Sequence, residues 1–259
     1  MTPKALLAAA LVLAFAAATA PAAFATSEQA ALHASFSPDR LGTPTAISFS
    51  FDLQAGGGVA PPPLTALDLH MPAGMGYAAT TLGLALCQPA VLVAKGPAAC
   101  PANSRLGYGS ARVEVPFGTG AGQEIPEIQA FAGPSKSGNL LVLFYASGLY
   151  PVDAQITFAG EVLPDHGRYG SQLAATVPLV TSVPGGPDVS IVHVQASLGA
   201  SHLTYYRHSR GRLVPFHPRG IAVPARCPPG GFPFAATFTF EDSSTAAAST
   251  TVSCPPRQR

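Results

Sequence analysis

The sequence has no tryptophan, and charged residues make up only 10% of its 259 positions, against roughly a quarter in ordinary soluble domains. Hydrophobic residues reach 47%, which argues against intrinsic disorder. Without Lys4, which falls in the N-terminal segment described next, 13 basic residues remain against 13 acidic ones. A neutral chain offers no net basic field, so we expect no binding to nucleic acid.

The N-terminus has the pattern of an export signal. Lys4 precedes the short apolar run 5–18, and Ala23-Phe24-Ala25 has the small-x-small spacing of a cleavage site. We expect residues 1–25 to be a signal peptide and the mature chain to begin at Thr26. No later run of about 18 apolar residues occurs, so we expect no membrane span in the mature chain. The predicted location is secreted or at the cell surface.

Four cysteines remain in the mature chain, Cys87, Cys100, Cys227 and Cys254. In an exported protein they indicate disulfides. Three connectivities are open, and we favour Cys87–Cys100 and Cys227–Cys254 because each pair brackets a compact segment. A zinc site is the alternative, but no two cysteines stand at the two-to-four-residue separation such sites use. We therefore expect no metal and no cofactor.

Alternating apolar and polar residues recur in short runs throughout the mature chain. The clearest is Ile47–Leu53, with Ile, Phe, Phe and Leu on one face. Dense Gly and Pro clusters separate the runs and favour turns. The pattern predicts an all-β fold, an antiparallel β-sandwich with Greek-key-like connections, stapled by disulfides. We expect one domain over residues 26–259, with 134–138 as the place where it could divide. The strands are predicted at 47–53, 64–70, 106–115, 125–131, 140–146, 154–159, 173–177, 189–198, 236–241 and 245–253, and one short helix at 89–94.

The cysteine segments carry a resemblance. Cys100–Gly109 reads C-P-x-x-S-x-hydrophobic-G-x-G, Cys227–Phe234 reads C-P-P-G-G-F-P-F, and Cys254 follows two strands later. This arrangement resembles a group of uncharacterised secreted β-rich proteins of high-GC Gram-positive bacteria (actinobacteria). The resemblance implies an extracytoplasmic β-rich fold and brings no activity with it. Gly107 and Gly109, at the entry to a strand, predict a bulge or a close backbone approach.

Catalytic patterns are weak. No G-x-S-x-G elbow occurs, and Asp165-His166-Gly167 is more typical of a polar turn than of part of a serine-hydrolase triad. Glu124, Glu127, Asp153 and Glu161 could supply paired carboxylates for sugar hydrolysis, but ordinary solvated surface acids are the better explanation of them. We assign no catalytic residues and keep a secreted hydrolase as the alternative.

Polarity is concentrated in residues 205–226. Arginine forks and tyrosine faces suit recognition of an anionic polymer, and Ser209–Arg212 has the look of an exposed hairpin tip. The functional hypothesis is an exported, non-enzymatic binding or structural module that recognises an anionic cell-envelope polymer or another envelope protein. Its oligomeric state is open. A solvated hairpin explains the same residues, and a carrier with an apolar cavity between the sheets is a further alternative. The candidate ligand-binding residues are Tyr205, Tyr206, Arg207, His208, Arg210 and Arg212.

Overall fold

The structure is a computed structural model that describes residues 28–78, 85–117, 120–199, 203–218 and 220–255. The predicted signal peptide at 1–25 and the predicted mature start at Thr26 lie outside these described residues. Within the described ranges, no helix has the length and apolar character needed to cross a membrane. The regular secondary structure of the described chain is almost entirely β-strand.

The strands alternate with short turns from one end of the described chain to the other. They are β1 (Gln29–Ser37), β2 (Pro44–Gln54), β3 (Leu64–Pro72), β4 (Gly76–Ala78), β5 (Arg105–Phe117), β6 (Gly120–Glu124), β7 (Glu127–Ala132), β8 (Leu140–Gly148), β9 (Ala154–Pro164), β10 (Tyr169–Thr176), β11 (Ser190–Gly199), β12 (Tyr205–Ser209), β13 (Arg212–Phe216), β14 (Gly220–Ala222), β15 (Phe232–Phe240) and β16 (Thr245–Val252). One α-helix, α1 (Pro89–Lys95), and two 3-10 turns, Pro97–Ala99 and Ala102–Ser104, lie between β4 and β5.

Fourteen strands form one sheet in which every pairing is antiparallel. Its order is β16-β15-β3-β10-β9-β8-β7-β5-β11-β2-β14-β4, with β1 paired to β2 and β6 to β5. Strands far apart in sequence become neighbours, as where β11 inserts between β2 and β5. Long connections of this kind have the Greek-key character that the sequence predicts. Strands β12 and β13 form a separate hairpin.

The sheet curls over itself, so that two layers face each other across one core. Strand β1 lies beside β16, the edge strand at the far end of the order. Phe51 of β2 meets Phe238 of β15 across the interior, with ring centroids 4.9 Å apart. The half of the sheet that carries β2, β11 and β5 thus packs on the half that carries β3, β10 and β15, which confirms the predicted antiparallel sandwich.

The predicted strand pattern is confirmed for the strongly alternating segments. In β2, Ile47, Phe49, Phe51 and Leu53 are all buried, as their spacing indicates. Four strands, β1, β4, β6 and β14, were not predicted. The glycine-rich segment that contains β6 was expected to be a turn, yet residues 120–124 pair with β5. Residues 134–138 lie between β7 and β8, which pair directly.

Helix α1 is clamped against the outer face of the sheet by the first disulfide. Cys87 bonds to Cys100 and Cys227 to Cys254, so both favoured pairings are confirmed and no cysteine is left for a zinc site. Leu92 of α1 and Cys87 pack on Phe131 and Leu141 in a small second core. Two disulfides are typical of proteins that work in an oxidising environment outside the cytoplasm.

Candidate functional site

The molecule has two ends, defined by where the strands turn. One end, here called the disulfide end, holds both disulfides and the hairpin β12–β13. The start of β5 and the turn between β9 and β10 also lie there. The other, here called the acidic end, holds the β2–β3, β6–β7, β8–β9, β10–β11 and β15–β16 connections. Hydrogen bonds tie these connections together, from Ser190 Oγ to the Pro61 carbonyl (2.7 Å) and from the Glu241 N–H to the Pro63 carbonyl (2.8 Å).

The hairpin β12–β13 is anchored to the disulfide end by Tyr205. Its ring is 1% exposed, and its hydroxyl donates to the Arg105 carbonyl oxygen over 2.8 Å. Burial raises the pKa of Tyr205 to about 12. Tyr205 was predicted to bind a ligand together with the exposed hairpin residues. Unlike them it is buried, and it lines the smaller of the two apolar cavities described below.

The remaining hairpin residues of the predicted site are exposed. Tyr206, Arg207, His208, Arg210 and Arg212 all lie at the surface, and the positive φ of Arg210 and Gly211 forms the predicted tight tip. Arg207 stacks over the Phe216 ring, with its guanidinium carbon 5.7 Å from the ring centroid. The backbone of Tyr206 is fixed by Asn103, whose side-chain oxygen accepts the Tyr206 N–H at 3.0 Å. The hairpin therefore presents three arginines to solvent.

Charge is divided between the two ends although the chain as a whole is neutral. Among the described residues, every lysine and arginine except Arg112 lies toward the disulfide end. Most acids lie toward the other end. They are Glu28, Asp52, Glu114, Glu124, Glu127, Asp153, Asp188, Glu241 and Asp242. The potential at the acidic end consequently favours cations.

An apolar cavity of about 150 Å³ lies between the two layers, toward the acidic end. We call it the inner cavity. Strands from both halves of the sheet line it, with Phe51 and Val194 on one side and Phe144 and Ala175 on another. A smaller cavity of about 60 Å³ lies nearer the disulfide end, and Phe49 and Leu173 contribute to the walls of both.

The inner cavity exists because small residues occupy inward-facing positions of long strands. Alanines line it where larger aliphatic side chains would fill a core, and Gly148 at the end of β8 adds no side chain at all. Each missing group leaves space that its neighbours do not close, since protein interiors relax only partly around such gaps. These alanines are Ala111, Ala146, Ala154, Ala175 and Ala196.

Glu124 is the only residue with a polar side chain among those that line the inner cavity in the described chain. It ends β6, opposite Val113 of β5, and is 8% exposed. Its Oε1 accepts the backbone N–H of Tyr150 over 3.0 Å. A Cβ at position 148 would collide with this oxygen, so the glycine makes room for the carboxylate. The wall therefore combines an extended apolar surface with one buried acid.

The carboxylates weighed for sugar hydrolysis are not gathered at one site. Glu124 is buried at the inner cavity, whereas Glu161 lies at the disulfide end with Lys136 (3.3 Å) and Asn139 (2.8 Å). The hydrogen bond from Asn139 and the ion pair with Lys136 lower the pKa of Glu161. Glu127 and Asp153 are exposed.

Two histidines pair with aspartates. His70 Nδ1 lies 2.6 Å from Asp165 Oδ2, and His193 Nδ1 lies 2.8 Å from Asp52 Oδ1. In the described ranges no serine hydroxyl hydrogen-bonds to either ring, so neither pair is extended into the serine–histidine–aspartate arrangement of a hydrolase. Residues 165–168 form the turn between β9 and β10, as the sequence predicts.

The sequence analysis considered Glu124 as a glycosidase carboxylate or as a surface acid, not as part of a cavity wall, and did not single out Gly148. If residues 120–124 had been predicted as a strand, its alternation would have indicated that Glu124 faces the core. The glycines in this segment indicate a turn instead. Comparison of the chain with protein-family models, with curated proteins and with solved structures gives no match. The site therefore has to be interpreted from its own geometry.

Proposed function

We propose that the protein is an exported, non-enzymatic binding module that holds a small apolar ligand in the inner cavity. The observation that carries this proposal is a space of about 150 Å³ lined, apart from Glu124, by apolar side chains from both layers of the sheet. A cavity of this size lined by Leu, Ile and Phe stays dry in another protein and takes up benzene or xenon. Export is supported by the predicted signal peptide and by two disulfides.

The cavity has the features of a ligand site more than those of a packing defect. Its lining is continuous and apolar apart from one fixed carboxylate, which is the usual composition of small-molecule sites. The adjoining β8–β9 connection exposes Leu149 (80%) and Tyr150 (84%). Exposed apolar side chains of this kind often mark a binding region.

Uptake of benzene tests the proposal. Saturation of the buffer with benzene should raise the midpoint of thermal unfolding by a few degrees, since a ligand that binds only the folded state stabilises it. Ala175→Leu fills the cavity and should abolish that rise while raising the stability of the ligand-free protein by about 1 kcal/mol. Ala174→Leu adds the same group on the opposite face of β10 and should leave the benzene effect intact. An unchanged midpoint in the wild-type protein would show the proposal to be wrong.

The exposed hairpin supports a second candidate function, recognition of an anionic cell-envelope polymer. Arg207, Arg210 and Arg212 stand together at the disulfide end, where the described bases are concentrated. Arginine suits phosphate and carboxylate because its guanidinium group can donate two parallel hydrogen bonds to two oxygens of either group. Alanine at all three positions should weaken binding to isolated cell wall and remove its dependence on salt. Equal binding by the wild-type and the triple variant would rule this function out.

A further inference from the structure

Glu124 is a carboxylate buried in an apolar wall without a cation. Within the described chain the ion pairs of side chains are Lys136–Glu161, His70–Asp165 and His193–Asp52. The Tyr150 N–H satisfies Oε1, and no described residue donates to Oε2. Burial of a carboxylate is costly unless it is paired and hydrogen-bonded. An incoming donor would therefore gain more here than at an exposed acid.

The carboxylate is held in place by its surroundings. Strand β6 is hydrogen-bonded to β5 up to Glu124 itself, which fixes the direction of the side chain. The Tyr150 N–H then fixes Oε1, and the absent side chain of Gly148 leaves the space that the carboxylate occupies. A group held on three sides costs little further ordering when a ligand binds.

The charge at the acidic end also favours a cationic ligand in the inner cavity. The cavity lies toward the acidic end, where Arg112 is the one described lysine or arginine and His193 pairs with Asp52 over 2.8 Å. Arg112 lies beside Asp52 and Glu114 in an open surface groove, not in the lining of the inner cavity. Acidic surroundings raise the local concentration of cations and repel anions.

We propose that the inner cavity binds a small aromatic or short alkyl amine, whose apolar body fills the space and whose ammonium group donates to Glu124. This inference rests on the proposed function, because it assumes that the cavity takes up ligands. The volume suits a single ring of about benzene size. Hydrogen bonds between an ammonium and a carboxylate are about twice as strong as neutral ones, and therefore Glu124 selects amines over alcohols of the same shape.

Calorimetric titration with benzylamine, benzyl alcohol, benzoate and toluene tests this selectivity. The wild-type protein should bind benzylamine at least tenfold more tightly than toluene or benzyl alcohol, and benzoate least tightly of the four. Glu124→Gln should reduce benzylamine affinity to that of benzyl alcohol and leave toluene binding unchanged. Glu127→Gln, an exposed acid three residues away, is the matched control and should keep the preference for the amine.

A second variant guards against a folding defect in Glu124→Gln. Gly148→Ala displaces the flexible end of Glu124 without removing its charge, and it should lose the same preference. If toluene binds but benzylamine binds no more tightly, or if both variants keep the amine preference, the inference is wrong while the proposed function stands. If neither toluene nor benzene binds to the wild-type protein, both are wrong.

Discussion

At the scale of single residues, Asp165 is an acid in a turn whose carboxylate stabilises the fold through hydrogen bonds. His70 Nδ1 lies 2.6 Å from Asp165 Oδ2, and the His166 N–H donates to Oδ1 over 2.7 Å. These two hydrogen bonds, the one from His70 first, lower the pKa of Asp165. His70 belongs to β3 and Asp165 to the β9–β10 turn, so the pair ties this turn to a strand of the sheet at the disulfide end.

Removal of the Asp165 carboxylate should weaken the fold in a pH-dependent way. An aspartate with a lowered pKa in the folded state stabilises it above its unfolded pKa, about 3.9, and this contribution disappears as the pH falls through the folded value. Asp165→Asn should cost about 0.5–1 kcal/mol at pH 7, with the difference from wild type vanishing toward pH 2. Urea unfolding across this range measures it. Asp153→Asn, an exposed acid, should show no such trend, and a difference that persists at pH 2 would contradict the assignment.

Residue roles were predictable where the cause is local in sequence. Gly107 and Gly109 were expected to mark a bulge or close approach, and a Cβ at either position would collide with the backbone of β11; a register shift lies between Arg105 and Gly107. The role of Glu124 could not be predicted from its local sequence. It depends on the Tyr150 N–H and on the space left by Gly148, and the fold of β8 brings both of these next to Glu124.

At the scale of elements, the hairpin β12–β13 depends on a few contacts with the chain that precedes β5. Tyr205 inserts into the core beneath it, and its hydroxyl donates to Arg105. Asn103 of the second 3-10 turn both donates to the Tyr206 carbonyl and accepts the Tyr206 N–H. These contacts, more than the two-stranded ladder itself, position the exposed arginines, since an isolated hairpin is only marginally stable in water.

Loss of the Tyr205 hydroxyl should therefore destabilise the protein measurably. Tyr205→Phe leaves the Arg105 carbonyl without its donor and should cost about 1–2 kcal/mol in urea unfolding at pH 7. A tyrosine whose pKa is raised to about 12 stabilises the fold fully below its unfolded pKa of about 10 and ceases to do so as the pH rises through the folded value. The variant should consequently lose less stability than wild type between about pH 10 and 12. Tyr206→Phe serves as the control, and equal costs for the two variants would contradict the anchor.

Element prediction succeeded where alternation involves large side chains. Ile47–Leu53 was assigned because four bulky residues share one face, whereas β1 was missed because an alanine separates its two large buried residues, Leu32 and Phe36. Strand β6 was missed because glycine carries no packing signal and indicates turns. The β12–β13 tip was predicted from Arg210-Gly211, since glycine readily takes the positive φ such a turn requires.

At the scale of the whole molecule, the two ends differ in composition and have separable roles. The disulfide end carries the covalent bridges and the exposed arginines, and the inner cavity lies toward the acidic end. Composition could predict the class of fold and the disulfides because both follow from counts and spacing. It could not predict the cavity, whose volume depends on alanines of different strands meeting across the core, nor the division of charge, which requires the topology.

This separation predicts that the second disulfide stabilises the fold without shaping the inner cavity. Cys227 and Cys254 are 27 residues apart, and closure of such a loop is worth about 3.5 kcal/mol in the chain-entropy model. The double variant Cys227→Ser/Cys254→Ser should lose about that much unfolding free energy. Its affinity for benzene, titrated at a temperature where circular dichroism shows the variant fully folded, should stay within twofold of wild type. A much weaker affinity in the folded variant would mean that the bridge holds the walls of the cavity, and that the two ends are mechanically coupled.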